Sequence, residues 1–375
     1  MTRYRDLGLR VGLLPPGPLN AITDIAGVTV GMTTLIEGEG PLQVGVGPIR
    51  TGVTVIVPHA GVGAEPVFAG THTLNGNGEM TGLEWVRESG LLTTPIAITN
   101  THSVGVVRDA LVAYDVRDRG RGPAFWSLPV VAETYDGALN DINGQHVKAE
   151  HLFAALDAAS DGPVSEGGVG GGTGMICHDF KGGTGTASRV IEGDDHRWIV
   201  GALVQANYGD RERLMIDGVH VGEEIPVEEL PSGWDQEAEI GRQADSSIIV
   251  ILATDAPLLP HQLRRLAQRA ALGIARVGGG GSNSSGDVFL AFSTANAGRL
   301  SSHKTDAPGR SIEASMIQDA AITPVFWGAI EATEEAILNA LVAAETMVGR
   351  DGIRAHALPH DRLVDVMTKH GRGPA

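Results

Sequence analysis

The run Ser247-Ile248-Ile249-Val250-Ile251-Leu252-Ala253-Thr254-Asp255-Ala256-Pro257 constrains the chain more than any other stretch. Ile248 to Ala253 are uniformly apolar and rich in β-branched side chains, with a polar residue before them and a proline soon after. An apolar run of that length without alternation predicts a strand buried on both faces. Such a strand requires a layered core around it. The preceding segment is different in kind. From Gly222 to Ser246 it is acidic, carries Pro226, Pro231 and Gly233, and sustains no period of 2 or 3.6. It reads as a surface connection. Ser247 stands where that connection enters the core strand, a position that an ordinary polar residue often takes.

The rest of the chain supplies further elements of both kinds. Gly27 to Gly31, Gly52 to Val57, Pro95 to Asn100, Pro129 to Thr134, Arg197 to Asn207 and Val288 to Phe292 read as strands. Met80 to Ser89, Val104 to Val116, Val147 to Ala159, the segment opened by Pro260, and about Val325 to Val348 read as helices, the last stopping at Gly349. Strands and helices alternate without regular βαβ spacing, which predicts an α/β or α+β class with a layered sheet core. Glycine is abundant, 52 of 375 residues, and lacks a Gly-X-Y period. Tight turns and close backbone approaches are expected instead.

Composition excludes several functions. A net charge of −17 disfavours a general nucleic-acid or anionic-membrane surface, and Arg117, Arg119 and Arg121 read as a solvated turn. The single cysteine, Cys177, permits no intrachain disulfide and no cysteine-based zinc cage. Thirteen histidines show no metal-ligand spacing with carboxylates, so no metal and no cofactor is expected. The start, Met1 to Pro16, lacks the apolar stretch of a signal peptide, and no run approaches a transmembrane span, so a cytoplasmic location is the expectation. No P-loop, dinucleotide-binding or Gly-x-Ser-x-Gly motif occurs. The Gly167–Gly174 run offers backbone N–H groups to an anion, although loop packing is the favoured reading. Ser301-Ser302-His303-Lys304 matches Ser-x-x-Lys without its companion motifs and reads as a polar loop.

Taken in order, the chain resembles the self-processing aminopeptidases of the DmpA type (L-aminopeptidase/D-esterase) and the related β-aminopeptidases. The resemblance spans nearly the whole chain. It rests on Leu19 to Asp24, Arg50 to Thr54, Asn100 to Gly105, Glu133 to Gly137, Val169 to Met175, Val204 to Gly209, Ser247 to Pro257, Ser282 to Asp287 and Met347 to Gly352. It implies a single αββα sandwich over residues 1–375, like N-terminal-nucleophile hydrolases but with different connectivity. It also implies a precursor that cuts itself between Ser246 and Ser247 into an α chain (1–246) and a β chain (247–375), with αβ units assembled as a homotetramer. By the same resemblance, Ser247 is the nucleophile. Asn207 and a backbone N–H near Gly286 form the oxyanion hole, with Tyr135 as a further oxyanion donor. Ser285 and Asp287 orient the nucleophile and its amine, and Glu133 receives the substrate's ammonium group. Gly or Asn commonly precedes the nucleophile in that family. Here Ser246 stands there, which makes Asp245–Ser246 the alternative bond.

The chemistry fits these residue types. A serine hydroxyl needs a base. An α-amine with a reference pKa of roughly 7.7–8.0 is substantially neutral near pH 7–8, so an N-terminal serine carries its own base. The expected function is release of N-terminal amino acids from short peptides, amides or esters through an acyl-enzyme. The alternatives are acyl transfer to an amine, as in the distantly similar ornithine acetyltransferases, and an unprocessed, non-catalytic relative.

Overall fold

Apolar faces at strand and helix spacing sort this chain into four layers. The computed structural model describes residues 1–118, 125–193, 196–239, 246–301, 309 and 311–374. Arg119, Arg121, Asp245 and Ser302 to Lys304 lie outside the described residues. One sheet has four strands in the order Thr29–Glu37, Ile49–Val57, Ile96–Asn100, Val130–Thr134. Its first two pairings are antiparallel and its last is parallel. The other sheet has six strands in the order Leu91–Leu92, Val67–Gly76, Gly286–Ser293, Ser247–Thr254, Arg197–Asn207, Gly183–Glu192. All its pairings are antiparallel except that between Ser247–Thr254 and Gly286–Ser293. A parallel pair needs a crossover, and the helix Pro260–Arg276 supplies it.

Alternation along each strand divides the core. Ile249, Ile251 and Ala253 pack between the sheets with Ile56, Ile96, Ile98 and Val130. Ile248, Val250 and Leu252 face the other way, onto Leu263, Leu266 and Ala270 of the crossover helix and onto Ala332 and Ala336 of the helix Thr323–Val342. Every residue of Ser247–Thr254 is buried, as a non-alternating apolar run requires. The helices Val104–Asp118 and Ala149–Asp157 cover the outer face of the four-stranded sheet through Val107, Leu111, Leu152 and Leu156. The layers are therefore helices, sheet, sheet, helices, which is the αββα sandwich.

Several stretches differ from the sequence reading, which named neither the strand Val67–Gly76 nor the helix His360–Lys369. The long helix ends at Val342, short of Gly349, and Met347–Val348 are instead a short strand paired with Arg354–Ala355. The strand Gly183–Glu192 was not anticipated: its small polar residues give no apolar pattern. It is buried because Arg189 at its centre pairs with Glu331 (3.1 Å) and Glu335 (2.6 Å) of the long helix. The expected surface connection holds two short helices, Val221–Glu224 and Gly233–Glu239, with Ser232, Trp234 and Glu237 buried. One or two turns are too short to display a period.

The glycine-rich run packs between the layers. Gly170 N donates to Thr34 Oγ1 (2.8 Å), Gly171 N to Thr54 Oγ1 (3.1 Å) and Gly172 N to Val169 O (3.0 Å). Those N–H groups are used internally, so packing rather than anion binding explains these glycines. The first residues of the chain lie across the long helix. Arg5 binds Glu335 and the N–H groups of Leu13 and Leu14 bind Glu331, which explains how a helix carrying three glutamates in a row of turns is buried on nearly every side.

Candidate active site

Strand register brings Ser247, Asn207, Gly286 and Asp287 to one end of the six-stranded sheet. Ser247 is directly opposite Asn207 on one neighbouring strand and Gly286 on the other. Ser247, Asn207, Ser285 and Asp287 are all buried, with exposures of 4%, 0%, 2% and 2%. Their odd-numbered neighbours Ile249 and Leu203 point between the sheets, so alternation aims Ser247 and Asn207 at the four-stranded sheet. Gln205, two residues before Asn207, crosses that gap: its Nε2 donates to Thr99 O (2.9 Å) and Thr134 Oγ1 (2.8 Å).

The peptide before Ser247 has a donor in place. Gly286 N donates to Ser246 O at 3.1 Å. The carbonyl polarised by this bond belongs to the Ser246–Ser247 peptide.

Asn207 is fixed at both ends of its amide. Its Oδ1 accepts from Ile176 N (2.9 Å) and its Nδ2 donates to Tyr135 O (2.9 Å). That bond uses one of the two N–H donors of Nδ2 and leaves a second for an oxyanion. Ser285 Oγ donates to Asp287 Oδ1 (2.6 Å), and Asn75 Nδ2 donates to Oδ2 (3.1 Å). Burial pushes the Asp287 carboxyl above its ordinary range, against Ser285, Asn75 and the Ile248 N–H, which favour the charged form. The Ile248 bond sets the carboxylate one residue from Ser247. A cavity of about 330 Å³ adjoins this group and is lined by Ser246, Ser285, Asp287 and Tyr208. A larger one of about 920 Å³, lined by Leu13, Leu14 and Trp327, shares no residue with the site.

Glu133 lies across the gap, at the end of Val130–Thr134. Its Oε1 accepts from Glu79 N (2.8 Å) and its Oε2 from Thr101 Oγ1 (2.5 Å). A Cβ added to Gly78 would come within 2.9 Å of the Gly286 backbone and 3.2 Å of Glu133 Oε1. Gly78 therefore bridges Glu133 to the strand beside Ser247, and only glycine permits that approach. Burial pushes the Glu133 carboxyl up, against the Thr101 and Glu79 N–H hydrogen bonds and the nearby His102.

Tyr135, expected as a further oxyanion donor, has a carboxylate partner within the protein. Its hydroxyl donates to Glu237 Oε1 (3.0 Å), which engages its single O–H. Sequence reasoning missed Glu237, Asn75 and Glu79, which no pattern marks. Thr101 and Arg350 sit inside motifs that carry the resemblance, which was the available signal. Among the described residues no cluster of three metal-ligating side chains occurs, and no helix is long and apolar enough to cross a membrane.

Comparison with known proteins places this geometry. The model of peptidase family S58 matches residues 20–355. The beta-peptidyl aminopeptidase BapA of Sphingosinicella microcystinivorans is 51% identical, over 99% of this chain and 93% of its own. The solved beta-aminopeptidase of Burkholderia sp. is 55% identical with a TM-score of 0.86, covering 99% of each chain. The L-aminopeptidase D-Ala-esterase/amidase of Ochrobactrum anthropi is 46% identical with a TM-score of 0.90, covering 100% of this chain and 99% of that one. Its structure is described as a prototype for the serine aminopeptidases and a new variant among the Ntn hydrolase fold. With a family match over most of its length and relatives this similar, the chain belongs to peptidase family S58.

Proposed function

We propose that this aminopeptidase cuts itself between Ser246 and Ser247 and then uses Ser247 as an N-terminal nucleophile. The observation that carries the reading is the Gly286 N–H bonded to Ser246 O, one residue before a serine set between Asn207 and Gly286. Ser247 Oγ adds to the Ser246 carbonyl carbon, and the developing oxyanion meets the Gly286 donor. The C–N bond breaks, and the nitrogen leaves as the Ser247 α-amine, taking up a proton. Water then cleaves the resulting ester, leaving a carboxylate on Ser246 and a free hydroxyl on Ser247.

In turnover, the new α-amine takes the Ser247 hydroxyl proton as Oγ attacks the substrate carbonyl. Asn207 Nδ2 and the Gly286 N–H receive the oxyanion, and the amine passes the proton to the leaving group. Ser285 and Asp287 hold that amine. Water, activated the same way, releases the acyl group. Glu133 pairs with the substrate's ammonium group, which restricts the enzyme to free amino ends. The substrates are short peptides, amides or esters, with β-amino acyl groups the first class to assay, given the names of the relatives. The cut chains stay together as αβ units, which assemble as a homo-oligomer.

Denatured mass and N-terminal sequencing of the purified protein test this reading. Two species, one beginning at Ser247, are expected. A species beginning at Ser246 would move every role by one residue. A single intact chain that is active on amino-acid anilides would overturn the processing step.

A further inference from the structure

The seven-residue helix Gly233–Glu239 ends just upstream of the proposed cut, and it contacts Tyr135 through Glu237. Tyr135 Oη donates to Glu237 Oε1 at 3.0 Å, and Arg350 Nη2 donates to the same oxygen at 3.0 Å. Glu237 is wholly buried and Arg350 is 1% exposed. Arg350 is itself fixed, donating through Nε to Gly137 O (2.6 Å) and through Nη1 to Asp351 Oδ2 (2.7 Å). The Trp234 ring lies nearly parallel to Tyr135, at 21° with centroids 6.4 Å apart. Gln236 exchanges hydrogen bonds with the backbone of Arg354, both at 3.1 Å. The helix is thus tied to residues 350–354, downstream of Ser247. Its placement does not depend on the Ser246–Ser247 peptide staying intact.

A phenol has one O–H. Here it points at a carboxylate whose charge Arg350 balances. The bond is charge-assisted, and it increases the electron density on the phenol oxygen. An oxygen in that state accepts hydrogen bonds well and has no proton to offer elsewhere. An oxyanion needs donors, whereas an ammonium group needs acceptors.

We infer that Glu237 is a positioning residue that holds the Tyr135 proton, leaving the phenol oxygen to accept an N–H from the substrate's ammonium group beside Glu133. The inference rests on the expectation carried by the family resemblance that Tyr135 faces the reacting substrate, and it gives that contact to the ammonium group rather than to the oxyanion. It assigns the tail of the α chain a place in substrate recognition, anchored there by arginines of the β chain.

The test is a double-mutant cycle on the matured enzyme, using Tyr135→Phe, Glu237→Gln and the pair, with an amino-acid anilide as substrate. Each variant is first checked by mass for the Ser247 terminus, so a failure of maturation registers against the processing step rather than against Glu237. Tyr135→Phe is expected to raise KM about tenfold with kcat within about threefold. Glu237→Gln is expected to raise KM similarly, and to add nothing once Tyr135 is Phe. A purely packing role for Glu237 would make the two effects multiply, which overturns the inference. So would a fall in kcat at unchanged KM in Tyr135→Phe, the mark of an oxyanion donor. If Glu237→Gln fails to fold or mature, Glu237→Asp takes its place with the same expectation. It keeps the charge near Arg350 while withdrawing the oxygen from Tyr135.

Discussion

Glu335 and Glu133 are both buried glutamates, and their surroundings treat them in opposite ways. Around Glu335, on the long outer helix, burial pushes the carboxyl up. The Arg5 hydrogen bond, the charges of Arg189 and Arg5, and the Asn20 amide outweigh it and hold the group below its ordinary range. Around Glu133 burial prevails: the Thr101 and Glu79 N–H hydrogen bonds bring no full charge, the Glu79 carboxylate pushes the same way as burial, and the nearby His102 opposes it too weakly to return the group to its ordinary range. Asp287 repeats the second pattern with Ser285 and Asn75. A structural cluster carries its own cations. On the proposed mechanism, the site's main cations arrive from outside its own side chains: the substrate's ammonium at Glu133 and, after the cut, the Ser247 α-ammonium beside Asp287.

The contrast can be broken in order of expected effect. Ser247→Ala removes the group both cations serve, so the chain is expected to stay intact and turnover to fall by at least about 10³-fold. A matured, active variant, seen by mass and anilide assay, would end the assignment. Next, Arg189→Met strips a cation from the structural cluster. Leaving buried carboxylates underpaired costs about 3–5 kcal/mol of stability, read by urea unfolding, while kcat per folded molecule stays unchanged. A neutral result would mean that Arg5 alone compensates Glu335. Glu133→Gln is expected to weaken recognition of the amino end by about 2 kcal/mol, roughly thirtyfold in KM, with stability unaffected or improved. Equal kinetics with amino-blocked and free substrates in the wild type would break this link.

The smallest effect concerns Asp136, wholly buried and next to Tyr135 in the chain. Burial pushes its carboxyl up to about 7, against hydrogen bonds from Thr51, Asn140 and Asn100. Between about pH 4 and 7 the folded chain keeps a proton that the unfolded chain has released, so this group's contribution to stability declines as pH rises. Asp136→Asn lacks that decline. Its stability relative to wild type should rise by up to about 1 kcal/mol between pH 6 and 7, measured by urea midpoints. A pH-independent difference would show the aspartate already ionised.

What could be read from sequence divides along similar lines. The Ser247–Thr254 strand was legible because six apolar residues in a row admit few environments. The crossover helix was legible because Pro260 marks its first turn and its apolar positions repeat at helical spacing. Gly183–Glu192 was hidden because its burial depends on Arg189 meeting two glutamates about 145 residues away, which no local pattern encodes. In the site, the residues named beforehand fall together by strand register, and their order along the chain carried that information. Glu237 was illegible for the same reason as Arg189. An acidic residue among acidic neighbours reads as solvated until the partner that buries it, Arg350, is located.

The strand beginning at Ser247 is bonded on one side to a strand that precedes it in the chain and on the other to a strand that follows. In a cut molecule those ladders join two polypeptides, and the covalent tether that kept their ends together is gone. Unfolding then releases two fragments whose reunion depends on concentration. The working enzyme would owe its shape to an ancestor it can no longer become. Heating it should be a one-way event, so its durability is a lifetime rather than an equilibrium.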